Sequence, residues 1–241
     1  MKTDSNRINH DLFDTWNENS AYILGFWYAD GWICFKKNKS RIDKTWGLAS
    51  VDREFLCYFS KFLGKEVCLS HAATVRCKAC WQILIYSAKL FDFCFKYAQT
   101  TRKSETRLKL PFDIPSHLTH HFIRGFFDGD GSIHWVNYKT RHGKRVSNLR
   151  LSFSAGNATG NLLDEVAATI NKHLGIYKKF KHNPNAVSQK LRYGQFDTAM
   201  ICSWLYKDAT MFLDRKKAIW DAADKDKLKN SLKYRRLIPA S

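Results

Sequence analysis

The stretch FIRGFFDGDGSI, residues 122–133, sets two aspartates and three glycines inside a chain whose formal net charge is +18. An earlier stretch, AYILGFWYADGWI at 21–33, has the same outline. Laying Ile23–Gly31 on Ile123–Gly131 takes an offset of 100 residues and no gap, a spacing that points to a duplicated unit. In each copy small residues stand four apart, Gly25 with Ala29 and Gly125 with Gly129, and Gly31 or Gly131 closes the run. A helix is expected over about 20–29 and again in the second copy, each with a flat strip on which another backbone can pack closely. Glycine inside a helix costs about 1 kcal/mol relative to alanine, so matched glycines imply a compensating contact.

If the two strips face each other, Asp30 and Asp130 emerge close together at equivalent helix ends. A helix C-terminus carries partial negative charge, so acids placed there call for a cation, and hard oxygen ligands suit Mg²⁺. Asp128 has no acidic counterpart, because Tyr28 holds the matching place, and it reads as structural or as a support behind the acids at the helix ends.

The segments downstream of each motif also repeat. After Gly31 come the strand-like runs WICFKK and TWGLAS, an amphipathic DREFLCYFSKFLG, two further runs EVCLSHA and WQILIYS, and AKLFDFCFKYAQ with helical spacing. After Gly131 come SIHWVNY, NLRLSFSA, TGNLLDEVAATINKHLG, YKKFKH, QKLRYG and DTAMICSWLYKDA. Both halves read α-β-β-α-β-β-α. The expected fold is α+β, with pseudo-twofold-related halves at 1–100 and 118–241 and a charged linker at 101–117. The second half is expected to end in a C-terminal helical extension. Trp46, Phe55, Phe59, Phe62 and Trp204 fall on apolar faces and are assigned to the core.

With 44% hydrophobic and 15% aromatic residues in 241, the chain has enough apolar material for a real core. Lys and Arg number 40 against 22 Asp and Glu, a surplus that fits a polyanionic partner such as nucleic acid. No apolar run approaches the roughly 18–20 residues of a membrane-spanning helix. The start, MKTDSNRINHDLFD, has no apolar core and carries Asp4, Asp11 and Asp14, so neither a secretion signal nor a transit peptide is expected. Seven cysteines, an odd number, fit reduced thiols and a cytoplasmic or nucleoid-associated protein.

The paired motifs, Leu24-Gly25-Phe26, Ala29-Asp30-Gly31 and Gly125-Phe126-Phe127-Asp128-Gly129-Asp130-Gly131, resemble those of the LAGLIDADG homing endonucleases of the single-chain, two-motif kind. The later Leu205–Ala209 and Arg215-Lys216-Lys217 add to the likeness. It departs at the first motif, where Tyr28 replaces the usual acid and Trp27 is bulkier than the common aliphatic.

The resemblance implies a monomer that makes a double-strand break with short 3′ overhangs across the minor groove of a long, asymmetric DNA site. Asp30 and Asp130 would bind Mg²⁺, or Mn²⁺, with the carbonyls of Ala29 and Gly129 as further ligands. Water would attack the scissile phosphorus while metal stabilises the leaving 3′ oxygen. Matching by position gives Lys103 and Lys216 as cations beside the phosphate and Ser50 as a polar catalytic residue, with Asn157 its counterpart in the second half.

The resemblance also implies a saddle of two four-stranded antiparallel sheets lying in the major groove. Strand alternation gives its outward, DNA-facing set. In the first half these are Cys34, Lys36, Asn38, Lys78 and Gln82. In the second they are His134, Tyr138, Asn148, Arg150, Lys179, Lys181, Lys190 and Arg192. The same count turns Ile33, Phe35, Ile133 and Trp135 toward the helices.

Cys68, His71, Cys77 and Cys80 have ligand types that suit Zn²⁺, but they also read as the third and fourth strands, whose side chains alternate and do not converge. Two other functions fit the same scaffold. One is a group I intron maturase with RNA as partner, the other a DNA-binding regulator without catalysis. Retention of both aspartates favours the nuclease.

Overall fold

Two helices made almost wholly of buried residues form the centre of the molecule, whose computed structural model describes residues 8–37, 42–64, 70–74, 77–101, 108–156 and 161–223, with backbone only for 70–74 and 77–79. The first, α1 (Glu18–Asp30), opens with a reciprocal cap: the Asn17 side chain accepts from the Ser20 amide and the Ser20 hydroxyl from the Asn17 amide. From Ser20 to Tyr28 every residue is buried, so α1 shows no polar stripe, as expected of a helix surrounded by protein. The first half continues with β1 (Gly31–Lys37), β2 (Ile42–Ser50), α2 (Arg53–Phe62), β3 (Ser70–Thr74), β4 (Cys77–Tyr86) and α3 (Ala88–Ala98).

The second half takes a similar course. It comprises α4 (Thr119–Asp130), β5 (Gly131–Lys139), β6 (Arg145–Gly156), α5 (Asn161–Leu174), β7 (Ser188–Tyr193), α6 (Gln195–Leu205) and a short α7 (Asp214–Asp221). In both halves the strand begins on the residue after the motif aspartate, without a loop. The first sheet has order β1-β2-β4-β3 and the second β5-β6-β7, all neighbours antiparallel.

The expected four strands are thus present in the first half but not in the second. A fourth strand was expected over YKKFKH, yet Tyr177–His182 form no strand among the described residues. The loop that precedes β7 is instead tied to that strand through the Gln189 side chain, which donates to the Asn183 carbonyl at 2.6 Å and accepts from its amide at 2.9 Å. The adjoining turn contains Pro184, which has no N–H to offer a ladder.

α1 and α4 cross directly against each other. A Cβ on Gly25 would stand 1.9 Å from the Phe122 carbonyl oxygen, and one on Gly125 would stand 2.0 Å from that of Tyr22. The two contacts are reciprocal at the 100-residue offset, which is the mark of a pseudo-twofold axis. Aromatic packing repeats the relation with different chemistry: Phe122 meets Tyr28 edge-on at 4.9 Å, whereas Tyr22 meets Asp128 through a hydrogen bond of 2.7 Å. Trp46, Phe55 and Phe59 are buried as expected, with Phe62 and Trp204 packed at the margin.

Phe35 and Trp135 correct the expected core. Alternation turns them to the helix side with Ile33 and Ile133, but they are 56% and 40% exposed, so the core under each sheet ends one alternate residue earlier than expected. Phe35 keeps an edge contact with Phe91.

Candidate active centre and nucleic-acid face

The motif aspartates stand where the buried helices end and the strands begin. Asp30 and Asp130 are each half-buried, close behind buried Tyr28 and Asp128 in the chain. The crossing continues to this end: a Cβ on Gly129 would lie 2.2 Å from the Ala29 Cβ and 3.2 Å from Asp30 Oδ2. Asp30 therefore reaches across to the residue that precedes Asp130. Neither helix has a basic residue in its own last turn, so helix-end carbonyls and two carboxylates concentrate negative potential at one place.

Lys216 answers part of that charge. It comes from α7, is 3% exposed, and donates to the carbonyls of Phe127 (2.6 Å), Asp128 (2.7 Å) and Gly131 (2.6 Å). An ammonium has three N–H bonds, and all are spent on the end of α4. Burial lowers its pKa to about 8, against the pull of Asp128, Asp30 and Asp130. In this conformation no N–H of Lys216 is left for a phosphate, and what the residue offers one is its charge.

Asp128 is wholly buried behind the centre. Its Oδ2 accepts from the Tyr22 hydroxyl at 2.7 Å and from the Leu213 amide at 2.9 Å, which ties both motif helices to the start of α7. Burial raises its pKa to about 6, with Lys216 and Tyr22 opposing the shift.

Sequence reasoning missed a second buried charge, Arg124. Fully buried on α4, it donates to the carbonyls of Met211 (3.0 Å) and Leu205 (2.8 Å), to Glu18 at 3.0 Å, and meets His121 Nδ1 at 2.7 Å. Glu18 also accepts from the Thr210 amide at 2.7 Å. The available signal was a charged residue at the place that Leu24 occupies in the first copy.

Ser50, 8% exposed, closes β2, and its hydroxyl accepts from the Asp52 amide at 3.1 Å, shaping the turn into α2. Lys103, Asn157, Asn38 and Cys68 lie outside the described residues, as do the side chains of His71, Cys77 and Lys78. Among the described residues no cluster of three or more His, Cys, Asp or Glu side chains converges.

On the outer face of the second sheet, cross-strand register sets His134 opposite Arg150, and Ser152 opposite Arg192. Tyr138 shares that face and accepts from the Asn148 side-chain amide at 2.9 Å. Arg150, Lys190 and Arg192 are exposed on it, and Lys179 and Lys181 are exposed on the coil beyond β7's edge instead of on a strand. In the first sheet Cys34 and Lys36 are exposed on the outer face and Gln82 is half-buried. A hollow of about 520 Å³ opens among Asn137, Tyr138, Lys139, Arg145, Val146 and Ser147 at the far end of the β5–β6 hairpin. No described helix is long and apolar enough to cross a membrane.

No protein-family model matches the chain, and no curated protein does. Solved structures do. The LAGLIDADG meganuclease I-CpaMI bound to uncleaved DNA aligns over 92% of this chain and 95% of its own, with TM-score 0.54 at 15% identity. I-SmaMI bound to an uncleaved DNA target in the presence of calcium ions aligns over 93% and 95%, with TM-score 0.55 at 13% identity. The LAGLIDADG homing endonuclease I-GzeII in complex with its DNA target aligns over 93% and 94%, with TM-score 0.52 at 15% identity. At such identities the likeness speaks for architecture, and on that ground the chain has the fold of the LAGLIDADG homing endonucleases, with both motif-bearing halves in one polypeptide.

Proposed function

We propose that this chain is a monomeric, site-specific DNA endonuclease that cuts both strands of a long asymmetric duplex, leaving short 3′ overhangs, with a divalent cation at the helix crossing. The observation that carries the proposal is the reciprocal Gly25/Gly125 contact, which delivers Asp30 to the side of Gly129 and its neighbour Asp130. Solved structures of the same fold hold DNA, one of them with calcium ions.

The residues present fit a hard cation. Two half-buried carboxylates, with Asp30 Oδ2 reaching the side of Gly129, are too few for a closed protein cage and leave positions for the Ala29 and Gly129 carbonyls, water and phosphate, which is how Mg²⁺ is commonly held. Mn²⁺ has the same ligand preference. Bound there, the ion supplies Lewis acidity toward the phosphate and the leaving oxygen.

The chain's own residues do the rest. Asp30 and Asp130 orient the ligand set from opposite helices. Lys216 holds the carbonyl end of α4 in place and lowers the cost of bringing a phosphodiester to an acidic centre. The exposed cations of the second sheet bind and orient the duplex.

The test uses purified full-length protein, Mg²⁺ and a randomised duplex library from which cleaved molecules are recovered. A single recovered motif with paired 3′ overhangs is expected, and an absence of double-strand cleavage at any site contradicts the proposal.

A further inference from the structure

The two sheets offer different chemistry at matched positions. Two residues after each motif aspartate, one cross-strand row runs over the outer face beside the centre. In the first sheet the row is Trp32, Gly47 and Leu84. In the second it is Ser132, Ser152 and Arg192.

The first row is an apolar wall. The Trp32 indole lies over Gly47, where a Cβ would stand 2.2 Å from the ring, and Leu84 continues the surface on the next strand. Among side chains described on that face, the one cation in strand pairing is Lys36, and it stands opposite Asp43. The second row ends in an exposed guanidinium, and its face carries no carboxylate in any of β5, β6 or β7.

In the major groove a guanidinium pairs with guanine O6 and N7, whereas an apolar surface meets the thymine methyl. We infer that the two halves of the DNA site are read by opposite chemistries: the base steps facing Trp32 and Leu84 carry thymine, and those facing Arg192 carry guanine. The inference rests on the endonuclease reading and adds the base chemistry of the target to it.

Target selection on the full-length protein tests it, followed by binding measurements on the recovered duplex. Selection should return a site with guanine in one half and thymine in the other. Replacing that thymine by uracil, which removes only the C5-methyl, should weaken wild-type binding several-fold and leave Trp32→Ala unaffected. Arg192→Ala should lose roughly ten-fold or more of its preference for guanine over adenine at one position.

Uniform weakening of Arg192→Ala across all sequences would make Arg192 a phosphate contact and overturn the inference, as would wild-type indifference to uracil. Either result would leave the endonuclease reading standing, because cleavage would still have occurred. A failure to select any site would remove both.

Discussion

Lys216 spends a buried ammonium on three backbone carbonyls, and its removal takes three charge-assisted hydrogen bonds and a buried cation from the end of α4. Lys216→Met should therefore cost about 3–5 kcal/mol in urea unfolding, the range for breaking a buried charge arrangement by removing one member. A surface lysine would cost less than about 0.5 kcal/mol.

Asp128 gives a pH signature. Its pKa in the folded chain is raised from 3.8 to about 6, chiefly by burial, so the folded form binds the proton more tightly than the unfolded chain. The stability this contributes is present in full below about pH 4 and is lost as pH rises through about 6. Asp128→Asn cannot titrate, so relative to wild type it should gain about 2–3 kcal/mol between pH 4 and pH 7, read as the difference between two urea titrations. A constant difference across that window would contradict the assignment.

At this scale the motif alignment picked out Asp30 and Asp130 as the acids at the two helix ends, whereas the full burial of Asp128 against Tyr22 and Leu213 is a tertiary fact. Arg124 escaped because Glu18, Leu205 and Met211, which satisfy it, lie far away in the chain.

Between elements, the contact that organises the fold is the α1–α4 crossing, where backbone meets backbone. A methyl group on Gly25 or Gly125 has a carbonyl oxygen about 2 Å away, and no rotamer change relieves that clash. Gly25→Ala and Gly125→Ala should each cost more than about 3 kcal/mol, measured by chemical denaturation, since overpacking here forces the helices apart. Gly194→Ala, with nothing within 4 Å of the added Cβ, should stay within about 1 kcal/mol of wild type. Equal effects at the three positions would remove the basis for a close crossing.

The helices and most strands were legible because period and motif spacing are local properties. Two element-level features were not. Phe35 and Trp135 alternate correctly, but how far a covering helix extends over a strand is a tertiary fact. The stretch YKKFKH lacks clean alternation, and the loop that follows it is held by the Gln189 side chain on the Asn183 backbone, a contact no local pattern announces.

For the molecule as a whole, a net charge of +18 is a long-range attraction that acts before any base is read. Log affinity for duplex should fall steeply and linearly with log salt concentration, and each exposed cation on a phosphate should lower the slope by about 1 when replaced by alanine. A flat salt response would argue against a backbone-tracking surface. The pseudo-twofold architecture was readable from one 100-residue offset, whereas the chemical difference between the two sheets became readable only once register aligned Trp32 with Gly47 and Ser152 with Arg192.

Cleavage and binding measured side by side on Asp30→Asn, with the selected duplex and Mg²⁺, separate a metal-binding acid at the helix crossing from a merely structural one. Double-strand cleavage should disappear while affinity for the duplex stays within a few-fold of wild type. Cleavage at the wild-type rate would contradict the metal-binding role.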